Sequence, residues 1–192
     1  NMIKSLIQLI FKLPENPLKE AIRQVYYGDV ISERIIEYPL IFMHVGKVGT
    51  KVLDVGCYFS SLPVQLGSLG YKVYAIDPED YQLKHPNFKF FKGDIQKSPF
   101  KSNYFDVVTV VSTIEHIGLG FYKDEKGISG DKKAIKEIRR ILKKGGRLLM
   151  TVPYSKKFKD AGSQRMYDKK HLDDLLRPEF KILKKSLFTS VK

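Results

Sequence analysis

Apolar residues recur along the chain in two alternating patterns: short continuous runs that predict buried strands, and stretches with helical spacing. Residues 51–78 hold one complete unit of this kind. Its parts are a strand, a glycine turn, a helix, a second strand and a terminal acid: Val52–Val55, Gly56, Leu62–Leu66, Lys72–Ile76 and Asp77. This order is typical of the nucleotide-binding half of a doubly wound α/β fold.

The same alternation continues towards the C-terminus. It predicts four further strands: Phe88–Phe91, Phe105–Val111, Arg147–Val152 and Phe180–Leu187. The second of these carries four valines and predicts the central strand, buried on both faces. Two helices are predicted with acidic N-caps, the first with a glycine stop: Asp131 to Gly145-Gly146, and Asp168 followed by Lys169–Leu176.

This order of elements implies one mostly parallel sheet with right-handed crossovers and helices on both faces. The predicted fold is therefore a doubly wound α/β domain, which we assign to residues 47–192. Residues 1–46 have apolar positions at helical spacing and predict an N-terminal helical cap. The length of 192 residues suits one folded domain overall.

Composition limits the cellular location and the kinds of partner that the chain can have. No apolar run approaches the roughly 20 residues that a transmembrane helix needs, so we expect no transmembrane segment. Cys57 is the single cysteine, which excludes an internal disulfide and suits a reducing, cytoplasmic location. The formal net charge is +13. Because the lysines are dispersed, a lysine-rich solvated surface is favoured over an anionic partner, although nucleic acid stays open.

The glycine turn limits which cofactor the first unit can hold. A dinucleotide site needs three glycines so that a pyrophosphate can reach the helix N-terminus. Here only Gly56 is present, with Tyr58, Phe59 and Ser61 near the other positions. Asp54 within the turn region disfavours a pyrophosphate and suits a positively charged ligand.

Five motifs in order then resemble the class I S-adenosylmethionine-dependent methyltransferases: VLDVGC, YAIDP, FKGDI, FDVVTVVSTIEHIG and AIKEIRRILKKGGRLLMTVP. The resemblance extends over Val52–Tyr154. It implies a Rossmann-like fold, antiparallel strands at the C-terminal edge of the sheet, and a transferase that uses S-adenosyl-L-methionine and releases S-adenosyl-L-homocysteine. Because the chain ends soon after Phe180–Leu187, we expect either a truncated chain or an edge strand that lacks its partner.

The resemblance also implies a set of cofactor-binding residues: Asp54, Gly56, Cys57, Tyr58, Asp77, Pro78, Asp94, Ile95, Ser112 and Thr113. By motif, Asp54 and Gly56 lie against the methionine part. Asp77 accepts hydrogen bonds from the ribose hydroxyls, and Asp94 reads the adenine edge with the Ile95 amide. Two alternatives stay open, that Asp77 only starts a turn and that Asp94 only caps a helix.

One departure from the family pattern puts cofactor affinity in doubt. The pattern D-x-G-x-G-x-G keeps its first glycine, while Tyr58 and Ser60 replace the other two. Tyr58 adds bulk where backbone normally approaches the ligand. Binding persists if the Tyr58 side chain points outward, and weakened binding is the alternative.

Candidate catalytic residues follow the central strand. If the acceptor is a hydroxyl, a base must take its proton, and His116 is the natural candidate near neutral pH. Glu115 orients His116 in this interpretation. The alternatives are that His116 only holds the loop after the strand and that Glu115 caps the next turn. Candidate substrate contacts lie on the two irregular loops: Tyr122, Tyr154, Arg165 and Tyr167. No metal is predicted, since Ser112 stands where a metal-assisted enzyme needs an acid.

Three functions remain open at this point. The first is methyl transfer to a small molecule, anionic or sugar-containing, because STIEHIGLG and the later Tyr167–Leu172 segment look closest to methyltransferases of sugar and polysaccharide pathways. The second is an RNA methyltransferase, disfavoured because no Asn/Asp-Pro-Pro-aromatic turn follows the central strand. The third is a cofactor-free binding module on the same fold. The sequence does not give the oligomeric state.

Overall fold

The computed structural model describes residues 33–120, 127 and 129–188. The chain divides into two compact units, Asn1–Leu40 and Ile41–Lys192. Most of the predicted helical cap lies outside the described residues, so the cap and the boundary between residues 46 and 47 stay predictions. No helix within the described ranges is both long and apolar enough to cross a membrane.

Four helices and seven strands are described, with one short 3-10 helix at Ile95–Lys97. The helices are α1 Arg34–His44, α2 Leu62–Ser68, α3 Gly130–Ile141 and α4 Lys169–Leu176. The strands are β1 Lys51–Val55, β2 Lys72–Asp77, β3 Phe88–Lys92, β4 Phe105–Val111, β5 Leu142–Thr151, β6 Lys159–Asp160 and β7 Arg165–Met166.

Strands β1 to β5 form one parallel sheet in the order β3-β2-β1-β4-β5. The order reverses between β1 and β4, as in a doubly wound fold, so the predicted fold class is confirmed. Strand β4 lies between β1 and β5 and is buried along nearly its whole length. Val108 and Val110 of this strand pack into a core with the apolar stripe of α3, which includes Ile135 and Ile138.

The boundary between α3 and β5 differs from the prediction. Helix α3 has Ser129, not Asp131, at its N-cap position, and it ends at Ile141. Strand β5 begins at Leu142 and contains Gly145-Gly146, which the sequence analysis placed at the helix end. Leu142 pairs with Phe105 at the start of β4, and this tertiary pairing overrides the local glycine signal.

The predicted strand Phe180–Leu187 is wrong, because these residues form no strand. The backbone instead turns after α4, where the Phe180 amide donates to the Leu176 carbonyl at 2.8 Å. Leu183 is 78% exposed, so the alternating pattern covers no core there. The antiparallel strands of this part of the chain are β6 and β7, a separate two-stranded sheet.

Candidate active site

The carboxyl ends of β1, β2 and β4 meet at the point where the strand order reverses. Crevices at this place in open α/β sheets bind ligands, since the loops after neighbouring strands diverge there. Gly56, Asp77 and Ser112 are the residues at which these three strands end or leave the sheet. The predicted cofactor residues therefore converge on one edge.

Gly56 allows the loop after β1 to lie directly against the loop after β4. Its φ is +80°, and a Cβ built there would stand 2.2 Å from the Thr113 Cγ2 atom. Thr113 is itself held, because its Oγ1 donates to the Val111 carbonyl at 2.9 Å. Glycine is required at this position for both its conformation and the space that Thr113 takes.

Asp77 is 5% exposed at the end of β2. Its Oδ2 accepts the Tyr58 amide hydrogen at 2.9 Å, and its Oδ1 accepts that of Glu79 at 2.8 Å. Burial raises the pKa of the Asp77 carboxyl, even though the two backbone hydrogen bonds oppose the rise. The bond to Glu79 is the turn that the sequence analysis left open for this acid.

Asp54 in β1 and Cys57 in the turn after it are both buried. The Asp54 carboxylate is buried, and its Oδ1 accepts the Thr109 hydroxyl at 2.6 Å. Burial raises the pKa of the Cys57 thiol, and the charges of Asp54 and Asp77 raise it further. The thiol therefore stays protonated and unreactive, which suits a packing role rather than nucleophilic chemistry.

The residues that replace the family glycines have different placements. The Tyr58 ring lies with its centroid 4.1 Å from that of Phe59, whose side chain is 50% exposed. Ser60 is buried, and its Oγ accepts the Leu62 amide hydrogen at 3.1 Å at the start of α2. Its carbonyl accepts the Tyr81 hydroxyl at 2.6 Å. Tyr81 belongs to no sequence motif and was not among the predicted site residues.

Asp94 lies close to the end of β2, because the neighbouring Gly93 amide donates to the Asp77 carbonyl at 2.9 Å. Its Oδ1 accepts the Gln96 amide hydrogen at 2.8 Å and thereby caps the short 3-10 helix. The helix-cap alternative is therefore present, and it leaves the predicted adenine contact untested. Ile95 is buried in the core beside it.

Ser112 ties the end of β4 to the end of β5. Its φ of +45° is in the left-handed region, which non-glycine residues seldom adopt. Its amide donates to the Thr151 carbonyl at 3.3 Å and to the Thr151 Oγ1 at 3.0 Å. Such strain is characteristic of functional sites when the surrounding structure holds it.

His116 is half-buried in the loop after β4. Its Nδ1 lies 2.6 Å from the Ser163 carbonyl oxygen, in the turn between β6 and β7. Since a carbonyl only accepts, Nδ1 carries the proton of this bond. In the neutral ring the lone pair is then on Nε2, where a base needs it.

The loop that carries His116 is anchored by a buried cluster of Glu115, Asp131, Arg165 and Tyr167. The Arg165 amide donates to the Glu115 carbonyl at 3.0 Å, and its Nη1 donates to the Ile117 carbonyl at 2.9 Å. The Tyr167 hydroxyl donates to the Asp131 Oδ2 at 2.9 Å, and Arg165 Nε lies 4.0 Å from the same oxygen. Burial and the Asp131 carboxylate raise the pKa of Tyr167.

The predicted substrate contacts are thus placed differently from one another. Arg165 and Tyr167 are buried and bonded to the protein, while Tyr154 is 41% exposed and forms a backbone bridge with Tyr167. Tyr122 lies outside the described residues. Their contacts with an acceptor stay predictions. Asp131, which the sequence analysis treated only as a helix cap, is the member of the cluster that sequence reasoning missed.

No group of three or more His, Cys, Asp or Glu side chains among residues 33–120, 127 and 129–188 is arranged to hold a metal ion. The buried acid Asp131 instead lies 4.0 Å from the Nε atom of the Arg165 guanidinium.

A model of the methyltransferase domain family matches residues 53–150, which is half of the chain. The chain therefore belongs to this family. At this level the resemblance drawn from the five sequence motifs is confirmed.

Relatives with known names are similar over part of their length. The chain is 36% identical to the ubiquinone/menaquinone biosynthesis C-methyltransferase UbiE of Ectopseudomonas mendocina over 72% of this chain and 60% of that protein. It is 32% identical to the demethylmenaquinone methyltransferase of Renibacterium salmoninarum over 58% of this chain and 45% of that protein. The chain spans about two fifths to a half of the first relatives it matches.

Among solved structures, the fold is similar to that of the Burkholderia thailandensis 1,6-didemethyltoxoflavin-N1-methyltransferase, which was solved with bound 1,6-didemethyltoxoflavin and S-adenosylhomocysteine. The TM-score is 0.61 at 16% identity, with 87% of this chain and 80% of that chain covered. At this identity the likeness shows the fold alone.

Proposed function

We propose that the chain is an S-adenosylmethionine-dependent methyltransferase that acts on a small-molecule acceptor at the carboxyl edge of its sheet. The observation that carries this proposal is the Asp77 carboxylate, buried at the switch point with one backbone N–H on each oxygen. A carboxylate oxygen can accept two hydrogen bonds. Each therefore keeps capacity for one ribose hydroxyl.

The other residues of this edge fit the same cofactor. Gly56 to Tyr58 would face the methionine part with backbone, and Asp94 with the Ile95 amide would face the adenine. The Tyr58 ring packs beside the half-exposed Phe59, which favours the alternative in which it points away from the ligand. Family membership and cofactor-bound structural neighbours support this assignment. When bound, S-adenosylmethionine supplies a methyl group on a sulfonium sulfur.

The chain's own residues would position the acceptor and move one proton. Methyl transfer is an in-line displacement, so alignment and exclusion of water provide most of the acceleration. His116 would accept the acceptor's proton at Nε2, because its Nδ1–H is held by the Ser163 carbonyl. Arg165 would act as a positioning residue, since its hydrogen bonds to Glu115 and Ile117 fix the loop on either side of His116.

The acceptor that we propose to test first is an aromatic ring with an ionisable hydroxyl, as in a demethylated quinol. Removing the hydroxyl proton pushes electron density onto the ring carbon that would receive the methyl group. That carbon would then lose its own hydrogen as a proton and the hydroxyl would regain one, so one proton is released overall. The named relatives support this choice, since their names describe quinone methylation. Sugar-containing or anionic acceptors stay the second choice.

An RNA acceptor has less support among the described residues. Arg140 is already paired with Glu137, and Lys143 is paired with Asp106. Basic side chains that form ion pairs with acids of the same chain contribute less to a surface that binds nucleic-acid phosphates.

Calorimetric titration with S-adenosylmethionine and S-adenosylhomocysteine tests the cofactor site. We expect Asp77→Asn to weaken binding at least about tenfold, because hydrogen bonds to charged groups contribute about 1.5–3 kcal/mol. The matched control is Asp174→Asn, an exposed acid on α4, which should bind like the wild type. Absence of wild-type binding at millimolar ligand would overturn the proposal, as would equal binding by Asp77→Asn.

Methyl transfer from labelled cofactor to demethylmenaquinol tests the proton acceptor. We expect His116→Ala to lower kcat by about 10²–10⁴, the usual contribution of a general base. The control is His171→Ala, since that histidine is exposed on α4 and paired with Asp168. If His116→Ala keeps the wild-type rate and pH profile, His116 only holds the loop.

A further inference from the structure

The opposite edge of the sheet carries a second feature that the proposed function does not use. A groove of about 500 Å³ lies at the amino ends of β1, β4 and β5. One wall is the turn at residues 46–50, the other is residues 143–147, and Asp106 and Val107 form the floor. Strand β1, five residues long, separates the groove from the Gly56 edge by roughly 16 Å.

Both walls are shaped by the local fold. Phe105 pairs with Leu142, and the next pair joins Val107 to Arg147, so residues 143–146 bulge outward between them. The opposite turn is closed by the Thr50 Oγ1, which donates to the Lys47 carbonyl at 2.6 Å. The groove is therefore bounded by two defined backbone segments.

Its charge is strongly positive. Four cations and one acid line it: Lys47, Lys143, Lys144, Arg147 and Asp106. The acid is used internally, since Asp106 Oδ1 accepts from Lys143 Nζ at 2.5 Å and Oδ2 accepts the Lys51 amide hydrogen at 2.9 Å. Among the residues that the structure describes, Lys47, Lys144 and Arg147 have no acidic partner.

The Arg147 guanidinium lies in a space that Gly46 leaves open. A Cβ at Gly46 would stand 2.7 Å from the Arg147 Nη2, and Gly46 has a φ of +100°. The guanidinium thus lies against a glycine that leaves room for it. The Gly46 carbonyl is anchored by the Tyr71 hydroxyl at 2.7 Å, so the surface beneath the guanidinium is held in place.

We propose that this groove binds the phosphate groups of a small phosphorylated molecule that carries at least two negative charges. A guanidinium offers a planar fork of donors that matches phosphate, and lysines add point charges. The unpartnered cations are gathered within one groove of about 500 Å³, which favours a compact anion over a nucleic-acid strand or a membrane. The groove is too far from Gly56 for its occupant to be the methyl acceptor.

Calorimetric titration with inorganic pyrophosphate and with ADP, at low ionic strength and at about 0.15 M salt, tests the groove. We expect Arg147→Gln to weaken binding of both probes at least about tenfold, since a charge-assisted pair is lost. The matched control is Lys136→Gln, an exposed lysine on α3 that does not line the groove. It should bind both probes like the wild type.

Gly46→Ala is a second test that keeps every charge. Its Cβ would displace the Arg147 guanidinium, so binding should fall although the net charge is unchanged. Circular dichroism would verify that each variant is folded. If Gly46→Ala does not fold, Arg147→Gln alone decides.

Three outcomes would overturn the proposal: no wild-type binding of either probe, equal weakening by Lys136→Gln, or at least tenfold tighter binding of single-stranded RNA or of phosphatidylglycerol vesicles through Arg147. Cofactor titration of the same wild-type sample reports on the proposed methyltransferase site separately. The failure of one proposal is thus distinguishable from the failure of the other.

Discussion

Strand β4 connects two edges of the sheet that differ in chemistry. At its carboxyl end, the chain enters a region where Asp77 and Asp131 are buried and held by backbone groups or by neighbouring side chains. At its amino end, Asp106 is only partly buried and is paired with the lysine of an outward bulge. Acids lie inside at one edge, and cations lie outside at the other.

The difference shows how a parallel sheet separates stability from binding. The buried carboxylates of Asp77 and Asp131 at the carboxyl edge accept hydrogen bonds from neighbouring loops and thereby fix those loops. Exposed cations at the amino edge are solvated and need no partner for the chain to fold. Substitutions at the first edge should therefore affect stability strongly, whereas those at the second should affect mainly ligand binding.

The largest contrast is expected between two ion pairs. Arg165→Met removes the cation from the buried cluster and should lower the free energy of unfolding by about 3–5 kcal/mol, because Asp131 stays buried without that cation. Lys143→Met breaks the partly exposed pair with Asp106 and should cost at most about 1 kcal/mol. Urea denaturation followed by circular dichroism measures both. Equal losses would contradict the contrast.

Two glycines with similar φ angles provide the next contrast. Gly56→Ala should destabilise by about 2–5 kcal/mol, since left-handed strain adds to the clash with Thr113. Gly49→Ala, whose Cβ would meet nothing within 4 Å, should cost only the strain of about 1–2 kcal/mol. Thermal and urea unfolding would compare them. If Gly49→Ala is as damaging, the close approach of the two loops does not explain Gly56.

A pair of tyrosines should separate the two binding functions. Tyr81 donates to the Ser60 carbonyl at the carboxyl edge, and Tyr71 donates to the Gly46 carbonyl at the amino edge. Each substitution to Phe should cost about 0.5–1.5 kcal/mol of stability. Tyr81→Phe should weaken S-adenosylmethionine binding more than pyrophosphate binding, and Tyr71→Phe should do the reverse. Parallel titrations in which both variants weaken the same ligand would remove this distinction.

The smallest expected effect is on the pH dependence of folding stability, to which Asp77 and Asp106 contribute with opposite signs. Burial raises the pKa of Asp77 above its ordinary value of 3.8, so this group favours the folded state at low pH. Its contribution is lost as the pH rises from 3.8 through the raised pKa.

Burial also opposes ionisation of Asp106, but the hydrogen bonds from Lys143 and the Lys51 amide hold its pKa below its usual range. Its contribution is present above 3.8 and is lost as the pH falls through the lowered pKa. Stability of Asp77→Asn and Asp106→Asn relative to the wild type, measured by urea denaturation from pH 3 to 7 (roughly the carboxyl range), should therefore change in opposite directions. Parallel curves would contradict the assignment.

Much of the carboxyl edge was predictable because its signals are local. A strand that ends on Asp77 and a glycine after Val55 are visible in the order of residues alone, and the parallel topology follows from the alternation of elements. Arg165 and Tyr167 were not predictable in the same way. Their loop reads as polar and irregular, and only its packing on α3 buries them against Asp131.

In the C-terminal part of the chain, local patterns predicted structure that long-range contacts did not support. Phe180–Leu187 alternates like a strand, yet a strand requires a neighbour to complete its backbone hydrogen bonds. At Gly145-Gly146 the local signal for a helix end was overridden by strand pairing between Leu142 and Phe105. Both local patterns were present. A long-range contact determined the structure at Gly145-Gly146, and at Phe180–Leu187 no described strand pairs with the segment.

By itself, the sequence determined the doubly wound fold, the family, and the edge at which Gly56 and Asp77 meet. Those features depend on periodicity and on the chemistry of residues near one another in the chain. Only the tertiary structure decided that Arg165 and Tyr167 hold a loop, which nitrogen of His116 carries its proton, and that Arg147 lies on Gly46 in a basic groove. Each of these depends on contacts between residues that are distant in sequence, and no local pattern encodes such contacts.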